Sequence, residues 1–175
     1  NYMVYDRDKL LFSIYQKTGD KEKMHEIALK SLRSHRSEDN LKKLLESVGE
    51  SERGRIIEDE TGLVMKNDRL SLTDTDFLLE NGKTDEAEKY LVGRVDQLNG
   101  DNYVSLQGLS KKFEAENRFL VSSLIHRAMI DSILKRALSK YYVYAVRYIK
   151  KLDAIAGKID DWRNFPTHDM YKEEL

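Results

Sequence analysis

The sequence has no cysteine, one proline and no long apolar run. The missing cysteine excludes disulfides, thiolate nucleophiles and cysteine-ligated metals, and it fits a reducing compartment, so a cytoplasmic location is expected. The near absence of proline removes the residue that most often interrupts helices. Without some twenty consecutive apolar residues there is no membrane-spanning helix to expect. Alternation of apolar and polar residues never persists, so no strand pattern is present. No secretory leader pattern opens the chain. It starts at Asn1 rather than Met, and a fragment of a longer protein is the expectation.

What is present points to helix. Of 175 residues, 35% are charged, and Leu, Lys, Glu, Arg and Ala run throughout. The net charge is −1 but unevenly spread: residues 51–100 hold twelve acidic against seven basic residues, and 101–150 hold four against nine. Such asymmetry bears on association rather than fold.

Residues 77–98 set the pattern. Phe77, Leu78 and Leu79 precede Asn81-Gly82; Ala87, Leu91, Val95 and Leu98 follow at helical spacing. Gly82 permits the left-handed backbone that ends a helix, and Asp85 and Glu86 suit the positive end of the next one. Asp74 or Thr73 is the expected cap of the incoming helix. Similar units are expected over residues 10–32, 41–65, 109–134 and 147–162, turning at Gly19, Gly49, Asn117 and Gly157. A hairpin of this kind cannot bury its own apolar stripe, and a turn spacing in the thirties suggests a row of them. The expected fold is all-α, a single domain over 1–175 built as an array of antiparallel helical hairpins: an α-solenoid, a tetratricopeptide-like superhelix. An irregular helical bundle is the competing arrangement.

From Phe77 onward the motifs FLLENGKTDEAEKYL, RVDQLNGDNYVSL, IHRAMIDSIL, KYYVYAVRYIKKLDAIAGKIDDW and HDMY resemble an uncharacterised bacterial helical-repeat family. It is a domain of unknown function, tetratricopeptide-like in style, matched mainly over residues 77–175. The family's pattern continues into a basic and aromatic ending beyond these residues. The resemblance implies a helical fold and carries no activity.

Most chemical motifs fail on inspection. Asn81-Gly82-Lys83-Thr84 looks like the end of a phosphate loop, but Phe77 stands where that loop needs glycine. Asp74-Thr75-Asp76 lacks the rest of a calcium loop. His25, His35, His126 and His168 have no helical metal-pair spacing. His126 reads as a partly buried or surface residue rather than a catalytic one. Glu58, Asp59 and Glu60 read as a solvated face, since adjacent helix positions diverge. Arg127 and Asp131, four apart, suit an intrahelical ion pair or a packing contact rather than a substrate site. No cofactor, metal or catalytic residue is expected, and the protein is read as not an enzyme.

The functional lead is residues 132–152, which hold Lys135, Arg136, Lys140, Arg147, Lys150 and Lys151 with no carboxylate, interleaved with Tyr141, Tyr142, Tyr144 and Tyr148. On a helix, Lys140, Tyr144, Arg147 and Lys151 share one face, while Ala145, Ile149, Leu152 and Ala156 read as core. A basic aromatic stripe can clamp an acidic peptide or track a phosphate backbone. The competing reading has the tyrosines packed between hairpins and the cations merely solvated. The expectation is a non-catalytic scaffold that binds a peptide or protein partner, an acidic one where this stripe is used. The alternative is nucleic acid or another polyanion through residues 135–151, and no membrane association is expected.

Overall fold

The computed structural model describes residues 2–175, with side chains from residue 7 onward. Ten α-helices follow one another, and no strand occurs among the described residues: α1 (Tyr2–Thr18), α2 (Lys21–Ser34), α3 (Glu38–Glu46), α4 (Glu50–Met65), α5 (Leu72–Glu80), α6 (Thr84–Val92), α7 (Tyr103–Ala115), α8 (Phe119–Arg136), α9 (Tyr142–Ala156) and α10 (His168–Glu173). Short 3-10 turns lie at Val95–Gln97 and Ser139–Tyr141. The chain divides into two compact units. The first comprises residues through Asn67 with Asp76–Lys83; the second comprises Asp68–Thr75 with Thr84–Leu175.

In the first unit α2 packs on α1 and on α3. Gly19 takes φ of 75° at the first turn, and the Asp20 carboxylate then accepts the Lys23 N–H to start α2. Met24, Ala28 and Leu32, each four residues from the next, are the buried stripe of α2. Ser37 caps α3 by accepting the Asn40 N–H. Of the expected solvated acidic face, Glu58 and Asp59 are exposed, but Glu60 is not: it is 1% exposed and is held by Arg33 at 3.1 Å and Arg36 at 3.5 Å. Burial of a carboxylate requires such partners.

The first, second and fourth expected turns fall at Gly19, Gly49 and Asn117. The third turns at Gly82, with φ of 69°, but its outgoing helix ends at Val92, and the division between units falls after Lys83. The cap of α5 is Ser71, whose hydroxyl accepts the Asp74 N–H; Asp74 and Thr73 lie inside the helix instead. The fifth hairpin, 147–162, lacks its outgoing arm. After Gly157 no helix forms until His168, because Asp161 accepts the Arg163 N–H at 2.7 Å, Arg163 takes φ of 51°, and Pro166 follows.

In the second unit α8 packs on α7 and on α9. It is buried on nearly every side, from Leu120 through Arg127 and again at Met129 and Ile130. A helix covered all round has no solvated stripe, so its polar residues must find partners inside. Most do so in two places, while the buried Ser123 hydroxyl has no hydrogen-bond partner among the described residues. Ser122 and His126 meet Ser110 and Glu114 of α7. Arg127 meets the C-terminal segment, where Trp162 and Phe165 pack against the Leu120, Leu124 and Ile159 cluster. Gly100 lies against α8 so closely that a Cβ there would sit 2.0 Å from the Ala128 carbonyl oxygen. Only glycine fits that approach.

Candidate functional site

The site is assembled by α7, α8 and α9 of the second unit. A cleft of about 250 Å³ has Met129 and Ile133 of α8 and Gln107 of α7 in its lining, with Tyr103, Tyr144 and Tyr148 alongside. α9 faces it because Ala145, Tyr148, Leu152 and Ile155 are its buried positions. Tyr144 lies one turn before Tyr148 and is 46% exposed. Tyr148, one of the interleaved tyrosines, is packed inside, as the competing reading has it: its ring stacks on His126 with centroids 5.6 Å apart, and its hydroxyl accepts the Gln107 amide N–H at 2.6 Å.

Of the four expected site residues, the structure brings three into one cluster. The Lys140 ammonium lies 4.9 Å from the Tyr141 ring centroid, the Tyr141 and Tyr144 rings are 6.5 Å apart, and the Arg147 guanidinium lies 5.4 Å from the Tyr144 centroid. Lys140 is not on the helix as expected; it lies in the 3-10 turn that precedes α9. The chain doubles in there because Ala137 adopts φ of 51° and ends α8. Lys151 follows one turn after Arg147 and is exposed. Its charge reaches the interior, where it disfavours a second positive charge on His126. None of Lys140, Arg147 and Lys151 has a carboxylate partner among the described residues. Arg136, also at the cleft, is paired with Asp101, which additionally accepts from Ser132. Those two bonds hold the Asp101 carboxyl below its usual range.

Behind Tyr148 lies a second polar cluster. The Ser110 hydroxyl is 3.0 Å from His126 Nε2 and 2.8 Å from the Ser122 hydroxyl; Ser122 donates to Glu114 at 2.7 Å. His126 is 0% exposed, overturning its expected position near the surface. Burial, and then the Lys151 charge, push its pKa down to about 4, so the ring is neutral at pH 7. Burial works against ionisation of Glu114, but hydrogen bonds from Ser122 and Ser110 outweigh it and the carboxyl lies below its usual range. The set looks like a nucleophile and base, yet Glu114 approaches the same ring nitrogen as Ser110, and Nδ1 has no partner. Ser110 is 1% exposed, so its hydroxyl is closed off from solvent.

Of the two arrangements expected for Arg127 and Asp131, an ion pair or a packing contact, the buried Arg127 makes the second. Tyr171 stands between them, donating to Asp131 at 2.6 Å while its ring lies 4.7 Å from the Arg127 guanidinium. Trp162 covers the guanidinium too, at 4.8 Å, and Arg127 donates to the Pro166 carbonyl at 2.8 Å. Burial lowers the Arg127 pKa, and burial with the bond to Asp131 raises that of Tyr171. His168, also buried, lies 2.7 Å from Asp153.

Sequence reasoning missed Tyr103, Gln107, Met129 and Ile133 as cleft residues. Tyr103 lies two residues after the strong turn signal Asn99-Gly100-Asp101, which marks a turn and not a cleft; the others read simply as helix positions. No group of three or more His, Asp or Glu side chains that could hold a metal occurs among the described residues. No helix among them is long and apolar enough to cross a membrane. No curated protein and no solved structure matches the chain. A family model does match, over residues 2–175 rather than mainly the C-terminal part, and the chain belongs to that family, DUF6880, a family of unknown function.

Proposed function

We propose that this protein is a non-catalytic interaction module that holds a peptide or protein partner at the tyrosine cleft of its second unit. The observation that carries the reading is the row of two cations on two neighbouring tyrosine rings at the cleft: Lys140 on Tyr141 and Arg147 on Tyr144. Exposed cation–π contacts contribute only about 0.5–1 kcal/mol each, so folding gains little from leaving four such groups in water. Tyr and Arg are also the residue types that dominate binding hot spots. The buried Ser110–His126 cluster supports the non-catalytic part, because both groups are closed off from solvent. The lack of cysteine supports a cytoplasmic setting.

In this reading, successive helices within each unit stack in the manner of tetratricopeptide hairpins. The packing of α1 on α2, α2 on α3, α7 on α8 and α8 on α9 supports it. An unbiased displayed-peptide library, selected on the intact chain, tests the function. Enriched peptides should lose binding to a Lys140→Glu, Arg147→Glu, Tyr144→Ala variant. Selection that enriches nothing, or enrichment indifferent to that variant, overturns the reading.

A further inference from the structure

The proposal above leaves the chemistry of the partner open, and the shape and charge of the cleft narrow it. Its volume, about 250 Å³, suits one large side chain rather than a helix or a folded surface. Its floor is apolar: Met129 is 1% exposed and Ile133 is partly covered. Methionine sulfur and tyrosine rings both make favourable contacts with an inserted aromatic ring. The wall is not wholly apolar. The Tyr148 hydroxyl accepts from Gln107 and retains its own proton, and the Gln107 carbonyl oxygen remains an acceptor. An aromatic side chain carrying a polar hydrogen, an indole N–H or a phenol O–H, could be satisfied there, whereas a purely aliphatic one would leave those groups unpaired.

Charge sets the rest. Along the α9 side, Lys140, Arg147 and Lys151 face outward without carboxylate partners among the described residues. Across the cleft, Arg136 of α8, the one cation among the described lining residues, is already paired with Asp101. Added acidic groups are therefore favoured only on the α9 side, and the partner's carboxylates should flank its anchor asymmetrically. Tyrosine-stacked cations are poor point charges for burying but keep N–H groups facing solvent, which suits carboxylates at a wet rim.

Resting on the interaction-module reading, we infer that the cleft takes a short acidic peptide segment anchored by one Trp or Tyr, with Asp or Glu residues lying along Lys140, Arg147 and Lys151.

The test uses the intact chain and fluorescein-labelled peptides bearing a central Trp between Asp and Glu residues, read by anisotropy. The central Trp→Ala peptide should bind at least roughly tenfold more weakly, as expected of a hot-spot anchor. A peptide with Lys in place of the flanking acids should not bind. Tyr144→Ala and the Lys140→Glu, Arg147→Glu pair change exposed residues and should each weaken the Trp peptide; Ile133→Trp, which fills the floor, should exclude it. Equal binding of the Trp and Ala peptides, or displacement by a single-stranded oligonucleotide with a steep salt dependence, overturns the inference. If the unbiased library instead enriches peptides without an aromatic or an acid, this inference falls and the module reading stands. If it enriches no peptide, both fall.

Discussion

Two arginines of the second unit, Arg127 and Arg147, rest on aromatic rings, and burial makes them opposites. Arg127 is 6% exposed, sandwiched between Trp162 and Tyr171, with one nitrogen committed to the Pro166 carbonyl and two others closed off from solvent without a hydrogen-bond partner. Arg147 lies on a single ring, Tyr144, and faces water. The first arrangement joins α8 to the C-terminal segment. The second contributes little to the fold and keeps its donors available. An interaction of one type thus serves stability where it is enclosed and recognition where it is open, because the same charge is worth more, and costs more to strand, away from water.

Removing the enclosed cation should have the largest effect. Arg127→Ala is expected to destabilise the unit containing α8 by on the order of 3 kcal/mol, through the loss of two ring contacts, a charge-assisted bond and the packing of Trp162. Thermal or urea unfolding measures it. Arg127→Lys should recover only part of the loss, since a compact ammonium does not lie flat between two rings. A melting curve like that of the parent protein would break the contrast at once.

Acid should act next, through His126 rather than through either arginine. Its folded pKa of about 4 lies below the ordinary value of 6.5. The unfolded chain therefore takes up the proton first. The stability due to this group is complete above pH 6.5, falls as the pH drops, and is lost by about pH 4, by on the order of 3 kcal/mol in all. His126→Gln should flatten the unfolding free energy between pH 6.5 and 5 in particular. Lowered carboxyls such as Glu114 act further down the scale, so a slope unchanged by this substitution would mean that the ring is not held neutral.

At the open site the expected stability change is small. Arg147→Ala should alter the unfolding free energy by no more than about 0.5 kcal/mol, the usual size for an exposed position, while measurably weakening the binding of the enriched peptides. A larger loss would move Arg147 into the same class as Arg127. The subtlest effect is long-range: Lys151→Met removes a charge that depresses the His126 pKa, so NMR titration of that ring should show an upward shift.

Much of the helical order was legible. The stripe Met24-Ala28-Leu32 is buried as its spacing requires, as are Ala87 and Leu91, while Val95 and Leu98 of the same expected stripe lie beyond α6 and are only partly covered; the glycines at 19 and 82 take the left-handed backbone the turns need. Such features depend on neighbours three or four residues away. The missing outgoing arm of 147–162 was not legible, because a local Asp161 turn and the burial of Ile159 against Leu120 and Leu124 override a plausible helical pattern. The cleft was half legible. Tyr144 and Arg147 share a face by periodicity alone, but the placement of Lys140 depends on Ala137 turning left-handed, which no propensity favours. The buried His126 cluster had no local signature, since Ser110 and Glu114 come from a different helix.

By itself the sequence determined the helix class, most of the turns and the concentration of cations and tyrosines in residues 132–152. Those follow from backbone chemistry and short-range periodicity. The tertiary structure decided which of those tyrosines are core and which are surface, that His126 is neutral and enclosed, and that Arg127 is a clamp while Arg147 is free. Each of these depends on what a distant helix places within a few ångströms, because desolvation and partner geometry, not residue type, set the state of a polar group.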